Sequence, residues 1–546
     1  MSSYKVILVN PNDKTVPNHS YGIAEHLGLA YLAAYLRKNF IEVKIVDGDV
    51  ENIDKDQILK EIFDYEPDMV CLTGLIRTIG DALEIADEIR SKRQNIFICI
   101  GGQHASYAAE EILFHHPSVD CVVRGEGEIT LMEIIERINE GQGLDGVLGV
   151  YYRDNEQVIK NQDRPAIEDL DILPFPARDS LKKCIKNGNQ LPVISILTSR
   201  GCPGGCSFCN SSDFFTMGGG VRWRYRSPKN VVDEIQYLAE NFRSENTYWV
   251  LHIYDDNFIG SGRKGRERAK EIAREMLNRG LKIPFDIFCR VDSFDGDEEL
   301  LRLLKEAGLV SAFLGLESGL SDTLKLFNKG TTPAQNIAAV QLMERYNIAT
   351  PASGFIMFHP YVTFEELRKN AEFLLSVGQA TFWNLSVNLI LFKGTKLVEK
   401  VRKDNFLGNM IYNWAAYEYQ YLDPTVSELA KAMDFTNHPI MIRLDSSVRY
   451  VENMLCRLTE QIKELGDDSL NKKVMSEHRL KVRNQLCSIQ EKSVGFFLNA
   501  INLSEDNRMS SYNQLKEKFL TDTDVEINRL NDIFEDYIQI IEKEIA

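Results

Sequence analysis

Short apolar runs alternate with amphipathic stretches over roughly the first 130 residues of this 546-residue chain. Between the first two runs, residues 25–40 carry Leu29, Leu32 and Leu36 at helical spacing. Apolar strands that alternate with helices form parallel sheets covered on both faces, so residues 1–165 are expected to form a doubly wound α/β domain. The predicted strands are 5–10, 43–47, 69–74, 96–102 and 121–125.

The alternation resumes after a proline-containing connector, 173-LPFPARD-179, which lies in a linker predicted to span residues 166–190. Six strand–helix units in series predict a partial (β/α)6 barrel over residues 191–400. The active site of such a barrel lies at the carboxyl ends of its strands. The predicted strands are 193–199, 249–255, 285–291, 312–317, 354–358 and 385–391.

From residue 401 the apolar spacing becomes helical, which predicts an α-helical accessory domain over residues 401–546. Residues 446–465 carry one apolar stripe. Near the end of the chain, Thr523 and Glu526 have the spacing of a capping box ahead of a further stripe that starts at Ile527.

Charge and hydropathy exclude some classes of protein. The net charge of −17 argues against a nucleic-acid partner, because phosphate backbones select basic surfaces. No apolar run approaches the roughly 18 residues of a membrane span. The first residues, MSSYKVILVN, lack the apolar core and cleavage site of a secretory signal. A cytoplasmic location is therefore expected.

Three of the ten cysteines, Cys202, Cys206 and Cys209, lie within 199-SRGCPGGCSFCN-210. Structural zinc sites normally use four ligands and a disulfide uses two. Three thiolates suit a metal centre that keeps one position open, such as an iron–sulfur cluster with one free iron. The other seven are expected to be small buried hydrophobes: Cys71, Cys99, Cys121, Cys184, Cys289, Cys456 and Cys487.

Unusual residues follow the predicted strands of the first domain, at the edge where doubly wound sheets bind ligands. Glycine at three consecutive strand ends allows a ligand to approach the backbone, although each could also serve an ordinary turn. No G-x-G-x-x-G opens a helix after the first strand, so a dinucleotide is not indicated. The candidate residues are Asn10, Thr73, Gly74, Gly101, Gly102, Gln103, His104, Arg124, Gly125, Glu126, Gly127 and Glu128.

The spacing C-x-x-x-C-x-x-C after the first barrel strand, with Phe208 before the last cysteine, resembles the radical S-adenosylmethionine (SAM) superfamily. That resemblance implies a 4Fe–4S cluster on the three cysteines. It also implies that Asp255 and Asp256 hold the SAM amine, Arg290 its carboxylate and Glu317 its ribose. A structural ring of ion pairs remains the alternative for Asp255, Arg290 and Glu317. The remaining SAM candidates are Phe208, Ser318, Gly354 and Met357.

A flavodoxin-like (Rossmann-type) domain ahead of such a barrel resembles the cobalamin-binding, or class B, radical SAM enzymes. The segments 101-GGQHAS-106 and 124-RGEGE-128 are similar to that family's corrin-facing loops. The D-x-H-x-x-G motif is absent, so the resemblance implies cobalamin without a histidine lower ligand. Arg77 lies either near the lower face of the corrin or on the protein surface. His104 either forms a hydrogen bond with a corrin amide or has an ordinary role in a turn.

The resemblance implies a methyltransferase that methylates an unactivated carbon of a small molecule or peptide, through methylcobalamin and a 5′-deoxyadenosyl radical. The alternative is a non-methylating rearrangement, ring contraction or oxidative cyclisation with the same cofactors. An electron donor such as flavodoxin or ferredoxin is the expected partner. A methylthiotransferase is disfavoured because Cys71, Cys99 and Cys121 lie on separate predicted strands and the tail is not strongly basic. A non-enzymatic sensor is disfavoured by the full set of SAM residues.

Overall fold

The computed structural model describes residues 4–13, 23–187, 192–242, 250–435, 438–463 and 470–545. The ends of three predicted segments, residues 188–190, 249 and 464–465, lie outside them. The chain divides into two compact units. The first is Met1–Gly260 with Leu391–Val398 and Asn409–Glu418, and the second is Ser261–Ile390 with Glu399–Gly408 and Tyr419–Ala546. Residues 191–400, the predicted barrel, contribute to both units.

A seven-stranded sheet forms the first part of the first unit. The strands of this part are β1 (Lys5–Asn10), β2 (Ile23–Ala24), β3 (Glu42–Asp47), β4 (Met69–Thr73), β5 (Phe97–Gly101), β6 (Cys121–Val123), β7 (Val150–Asp154) and β8 (Gln157–Lys160). Strand β2 is not part of this sheet. The sheet order is β3-β1-β4-β5-β6-β7-β8. The five strands from β3 to β6 are parallel, and β7 and β8 join antiparallel. The five predicted strands are therefore confirmed.

Helices cover both faces of this sheet, as the prediction of a doubly wound domain requires. They are α1 (Leu27–Lys38), α2 (Gly48–Glu51), α3 (Lys55–Tyr65), α4 (Ile79–Lys92), α5 (Gln103–Tyr107), α6 (Ala109–His115) and α7 (Glu128–Asn139). Successive β1 residues point to opposite faces. Val9 joins the core shared with α3, α4 and α6, whereas Leu8 joins the core shared with α1 and α7. Both faces are thus dry, and the carboxyl ends of the strands are left to bind ligands.

The rest of the first unit carries the cysteine triplet. Its elements are α8 (Asp179–Asn187), β9 (Pro192–Ile196), β10 (Ser199–Gly201), α9 (Ser211–Phe214), β11 (Trp223–Tyr225), α10 (Pro228–Phe242) and β12 (Leu251–Ile253). Strands β2, β9 and β12 are parallel, and β10 pairs antiparallel with β11. The predicted strand 193–199 is therefore two strands, because the chain leaves the parallel sheet at Ile196 and turns into a hairpin.

The second unit continues the strand–helix series with three parallel strands, β13 to β15. Its elements up to residue 390 are α11 (Gly262–Asn278), β13 (Phe285–Arg290), α12 (Glu298–Ala307), β14 (Leu309–Glu317), α13 (Ser321–Leu326), α14 (Pro333–Arg345), β15 (Ser353–Phe355), α15 (Phe364–Ser376) and α16 (Phe382–Ser386). The predicted strand 385–391 is wrong except at its last residue, Leu391, which begins β16 (Leu391–Phe392). Thr381 caps α16 by accepting a bond from the Asn384 N–H at 3.2 Å, so the chain is helical there.

The end of the chain is mainly helical, as predicted. Its elements are β16 (Leu391–Phe392), α17 (Lys396–Lys403), β17 (Leu407–Ile411), β18 (Ala416–Tyr419), α18 (Pro424–Ala432), α19 (Pro439–Lys463), α20 (Leu470–Glu505) and α21 (Tyr512–Ile545). Strands β16 to β18, which the sequence did not predict, form a small sheet. Among the described residues, no helix is both long and apolar enough to cross a membrane.

The predicted capping box at Thr523 and Glu526 is wrong, because both residues lie in the interior of α21. The Glu526 carboxylate instead accepts bonds from Gln485 and Lys492 of α20. The spacing of a capping box therefore arises here from a contact between two packed helices. Burial of the scattered cysteines is as expected except for Cys487, which is exposed, and Cys456, which is half-buried.

His359, four residues after β15, is an ionisable side chain inside the second unit and only 2% exposed. Its Nδ1 accepts a bond from the Tyr361 N–H at 3.4 Å, and the edge of its ring contacts Phe327. Burial lowers the pKa of His359 to about 3. The imidazole is therefore neutral in the folded protein near neutral pH.

This burial predicts acid sensitivity. A histidine with a depressed folded pKa adds nothing above its unfolded pKa and destabilises the fold as the pH falls below about 6.5. At pH 4.5, two units lower, His359 is expected to destabilise the fold by about 2.7 kcal/mol. The variant His359→Phe should remove that loss in urea unfolding compared at pH 7 and pH 4.5. The control variant His115→Phe, which alters an exposed histidine, should still lose stability between pH 7 and pH 4.5. An equal loss of stability in both variants would contradict the prediction.

Candidate functional site

The cysteine loop, residues 202–209, connects β10 to α9 and is held as a closed turn. Ser212 donates its hydroxyl to the Cys202 carbonyl at 2.7 Å and to the Gly204 carbonyl at 3.1 Å. At its start, Gly201 has φ 81°, and a side chain there would lie 2.1 Å from the Arg222 carbonyl oxygen, so only glycine fits. The three cysteines of this turn are half-buried.

The chemistry of this loop fits an iron–sulfur cluster. Among the residues that the structure describes, no three or more His, Cys, Asp or Glu side chains lie in an arrangement that could hold a single metal ion. Each thiolate of an iron–sulfur cluster binds a different iron atom, so its sulfurs need not converge on one point. The three half-buried thiols of one short loop are suited to such a cluster.

The carboxyl ends of β4, β5 and β6 border a cavity of about 240 Å³, here called the strand-end cavity. Its walls are mainly apolar and come from the sheet, from α1 and α7, and from Phe214 and Phe215 beyond the cysteine loop. Eight of the residues predicted to bind cobalamin line it. They are Thr73, Gly101, Gly102, Gln103, Gly125, Glu126, Gly127 and Glu128.

Two of the glycines keep the rim of this cavity open. Gly102 has φ 100°, and a side chain there would come within 3.0 Å of the Thr73 hydroxyl. Gly125 has φ 73°, and a side chain would meet no atom within 4 Å. Both backbone conformations favour glycine, and the space beside Gly125 is available to a ligand.

Three other predicted cobalamin residues, Asn10, Gly74 and Arg77, do not line the strand-end cavity. Asn10 is buried and donates to the Asp47 carboxylate at 2.9 Å. Gly74 packs directly on Ile79. The Arg77 guanidinium is 58% exposed and forms an ion pair 2.8 Å from Asp13, which matches the alternative of a surface arginine.

His104 and Arg124 also lie outside the lining of the cavity. The His104 Nε2 lies 2.9 Å from the carbonyl oxygen of Asn413, and burial lowers the pKa of this histidine. Arg124 forms an ion pair with Asp163 at 2.7 Å. Both side chains therefore already have protein partners. The sequence did not predict the ion pair of Arg124 with Asp163.

The two predicted carboxylates on the cavity rim are held by buried arginines. Arg200 binds Glu126 at 2.7 Å and Glu128 at 2.5 Å, and Arg224 binds Glu126 at 2.9 Å. Burial by itself raises the pKa of Glu126, but Arg200 and Arg224 outweigh it and hold that pKa below its ordinary value. Glu126 and Glu128 are thus parts of a protein network of buried ion pairs, and the predicted contact of this loop with cobalamin falls to its glycines.

Sequence reasoning missed several residues that line the cavity. The signal for some was present, because the helical stripe of α1 already contained Leu29 and Leu32, and Phe214 and Phe215 follow the cysteines. His26 and Arg200 carried no signal, since the Thr73 contact of His26 and the partners of Arg200 are distant in the sequence. The missed residues include His26, Leu29, Tyr31, Leu32, Leu131, Leu197, Arg200, Phe214 and Phe215.

His26 caps α1 and presents one ring nitrogen to the cavity. Its Nδ1 accepts the Leu29 N–H at 3.2 Å, and its Nε2 lies 3.5 Å from the Thr73 hydroxyl. Burial lowers the pKa of His26, so the ring is neutral. With Nδ1 acting as acceptor, the single proton is on Nε2, which leaves that atom a donor and not a metal ligand.

In the first unit, the adjacent predicted SAM residues Asp255 and Asp256 have different surroundings. Asp255 is 1% exposed, and its carboxylate accepts bonds from the Thr198 N–H and the Ser199 hydroxyl, both at 2.6 Å. Asp256 keeps an accessible side chain, while the protein around it removes enough water to raise its pKa to about 6. Asp256 also has protein partners, the Ser211 side chain and the Gly201 backbone, but its side chain is exposed whereas that of Asp255 is buried. Phe208 is half-buried in the cysteine loop.

In the second unit, the structure brings Glu317 and Gly354 together at the carboxyl ends of β14 and β15. Glu317 has φ 63°, which is unusual for a residue other than glycine, and it accepts the Lys329 ammonium at 2.9 Å. A side chain on Gly354 would lie 3.2 Å from the Glu317 carboxylate. Glycine at position 354 therefore makes room beside this carboxylate.

Arg290 lies at the end of β13 and contacts the same lysine. Its guanidinium binds Asp292 at 2.9 Å and donates to the Lys329 carbonyl at 2.6 Å. Arg290 and Glu317 thus belong to ion pairs, the alternative that the sequence had left open. Two further SAM candidates, Ser318 and Met357, are fully buried.

Comparisons with known proteins agree with this arrangement. Residues 14–135 match the B12 binding domain family, and residues 196–374 match the Radical SAM superfamily. The chain is 31% identical over 443 residues to the uncharacterized methyltransferase PH0819 of Pyrococcus horikoshii, across 81% of this chain and 90% of that protein. The chain belongs to the cobalamin-binding radical SAM family.

Other members of the cobalamin-binding radical SAM family catalyse different reactions. An anaerobic magnesium-protoporphyrin IX monomethyl ester cyclase of Rubrivivax gelatinosus is 31% identical over 355 residues, 62% of this chain and 61% of that enzyme. The solved structure of the cobalamin-dependent SAM radical enzyme OxsB with aqua-cobalamin and SAM superposes with a TM-score of 0.71 at 22% identity. That superposition covers 99% of this chain and 84% of OxsB, and it confirms the fold.

Membership of this family implies cobalamin, SAM and a 4Fe–4S cluster, and the residues present fit all three. An apolar cavity with glycines at its rim suits a large ring system. Three thiols on one loop suit an iron–sulfur cluster. A buried carboxylate with a glycine beside it suits the hydroxyl groups of a ribose.

Proposed function

We propose that this protein is a cobalamin-dependent radical SAM methyltransferase that methylates an unactivated carbon of a small-molecule or peptide substrate. The observation that carries this proposal is the similarity to the methyltransferase PH0819, which extends over 90% of that protein. When bound, cobalamin would supply methyl transfer, and the cluster with SAM would supply hydrogen-atom abstraction. A cyclisation is the second candidate, favoured by the similarity to the protoporphyrin ester cyclase.

The cysteine loop and the carboxylates would hold the cluster and SAM. We assign the cluster to Cys202, Cys206 and Cys209, and the SAM amine to Asp256, since Asp255 is buried whereas the Asp256 side chain is exposed. Glu317 would accept the ribose hydroxyls. A left-handed backbone at a residue other than glycine costs about 1–3 kcal/mol and is concentrated at functional sites, which supports this role for Glu317.

Arg290 would pair with the SAM carboxylate, and Ser318, Gly354 and Met357 would support the same pocket from β14 and β15. Phe208 would shield the cluster from water. Reductive cleavage of SAM needs one electron from outside the protein, so the proposal requires a donor such as a flavodoxin or ferredoxin. No nucleic-acid partner is proposed, because the net charge is −17.

The strand-end cavity would hold cobalamin, with Thr73, Gly101, Gly102, Gln103 and the glycines of the 124–128 loop beside it. His26 lines this cavity but presents a proton on Nε2. It would therefore donate a hydrogen bond and leave the metal without a histidine ligand. This supports the proposal that cobalamin binds without a histidine lower ligand.

The test uses anaerobically purified protein, reconstituted with iron and sulfide and mixed with hydroxocobalamin, SAM and a low-potential reductant. Bound cobalamin, methylcobalamin and 5′-deoxyadenosine are measured by chromatography. Methylcobalamin together with 5′-deoxyadenosine is the expected result, and labelled methyl groups can then be followed into candidate substrates. Bound cobalamin that is never methylated would favour the cyclisation, and failure to take up cobalamin would overturn the assignment of the cavity.

A further inference from the structure

The cysteine loop is held at both ends by the loops that line the strand-end cavity. Ahead of the loop, Arg200 lies two residues before Cys202 and binds the 124–128 loop. Behind the loop, Asn210 follows Cys209 directly and is bound by Gln103 and Tyr107. These two sets of contacts are called the leading and trailing contacts below.

The leading contacts are strong because they are buried and charged. The side chains of Arg200, Glu126 and Glu128 are all less than 10% exposed. Glu126 also accepts the Ile167 N–H at 2.7 Å, so its carboxylate is fully hydrogen-bonded. Separating a buried ion pair would leave an uncompensated charge, so these side chains keep their positions relative to one another. The start of the cysteine loop is therefore tied to the 124–128 loop by buried ion pairs.

The trailing contacts are two neutral hydrogen bonds from α5. Gln103 donates its amide to the Asn210 side-chain oxygen at 3.0 Å, and Tyr107 donates its hydroxyl to the Asn210 carbonyl at 3.0 Å. The Tyr107 ring lies against Gly394, where a side chain would come within 2.6 Å of the ring. This contact holds the tyrosine in place, and the end of the cysteine loop follows the position of α5.

We propose that Arg200, Asn210 and Tyr107 are positioning residues that couple the two cofactor sites, so that cobalamin binding and cluster assembly favour each other. The inference rests on the proposed function. A ligand that orders α5 and the 124–128 loop also orders the cysteine loop, since the leading and trailing contacts join them. Such coupling is reciprocal by thermodynamic linkage, and its usual size is about 5- to 150-fold in affinity.

The test measures the dissociation constant of hydroxocobalamin for iron-free and for cluster-loaded protein under anaerobic conditions. We expect the cluster-loaded protein to bind about tenfold more tightly. In Tyr107→Phe, in Asn210→Ala and in their double variant, that ratio should fall to about threefold or less. The control Tyr65→Phe removes the same kind of hydroxyl, whose bond to Glu42 is 3.3 Å long and exposed, and it should keep the full ratio.

Iron uptake gives a second measurement, because the coupling is reciprocal. During reconstitution at limiting iron, the wild type should retain more iron when hydroxocobalamin is present, and this gain should be smaller in the double variant. If one variant fails to fold, the other still tests the trailing contacts. Equal affinities in the two states of the wild type would overturn the coupling and leave the proposed function intact. Absence of cobalamin binding in both states would instead overturn the proposed cobalamin site.

Discussion

Replacing Cys209 with serine is expected to reduce 5′-deoxyadenosine formation by more than about a thousandfold, because the loss of one thiolate prevents a stable iron–sulfur cluster. A serine hydroxyl stays protonated and is a harder ligand than the thiolate that iron–sulfur clusters use. Iron and sulfide content and the visible absorption of the reconstituted protein should fall in parallel with product. Cys202→Ser and Cys206→Ser should behave in the same way, since all three lie on one loop.

The matched control is Cys487→Ser, which alters an exposed cysteine on α20. It should keep the iron content and the product yield of the wild type. The cobalamin site should survive in Cys209→Ser, since the cavity walls lie elsewhere, with the roughly tenfold weaker binding that coupling predicts. A Cys209→Ser protein that retains the cluster and its product yield would show that the triplet does not hold the cluster.

Much of the fold follows from local pattern. The five parallel strands of the first domain are short apolar runs, and each is buried on both faces, so length and flanking glycine suffice to recognise them. The helices α19 and α21 follow from the repeating apolar stripes predicted over residues 446–465 and from Ile527. The error at residues 385–391 has the same origin, because an apolar run of that length suits a strand or a buried helix, and the cap at Thr381 decided it.

The candidate site was predictable to the extent that chemistry is carried by neighbours in sequence. The cysteine spacing and the strand-end glycines are such features, and they lead to the cluster loop and the rim of the cavity. The partners of Glu126 and Asp255 are not, because Arg200 and Ser199 reach them only once the chain has folded. A carboxylate at a strand end looks the same in a sequence whether it binds a cofactor or an arginine.

The largest stability effect that we expect is at Arg178 in the linker, which also pairs with residues distant in the sequence. Its guanidinium binds Glu25, Glu234 and the Ser195 carbonyl, and the side chains of Arg178, Glu25 and Glu234 are at most 2% exposed. Arg178→Met should reduce the free energy of unfolding by about 3–5 kcal/mol, because it leaves the buried Glu25 carboxyl group without its cation, whereas Glu234 keeps Arg226. The measurement is a urea titration at pH 8.

The pH dependence of this loss provides an internal check. Burial already raises the pKa of Glu25 even with Arg178 present, and removing the arginine should raise that pKa further. A raised carboxyl pKa destabilises the fold at high pH, and the loss shrinks as the pH falls through the folded pKa. The difference between Arg178→Met and the wild type should therefore be smaller at pH 5 than at pH 8. The double variant Arg178→Met with Glu25→Gln should recover part of the stability at pH 8.

The neighbouring pair between Arg37 and Asp179 gives the matched control for Arg178. Those side chains lie 2.8 Å apart but are 36% and 37% exposed, so water already solvates both charges. Arg37→Met should cost less than about 1 kcal/mol. If both variants cost the same, burial would not be what makes Arg178 important, and the linker would be held by its apolar residues instead. A large loss confined to Arg178→Met would show that a buried arginine ties the linker to both the start of α1 and the helix α10.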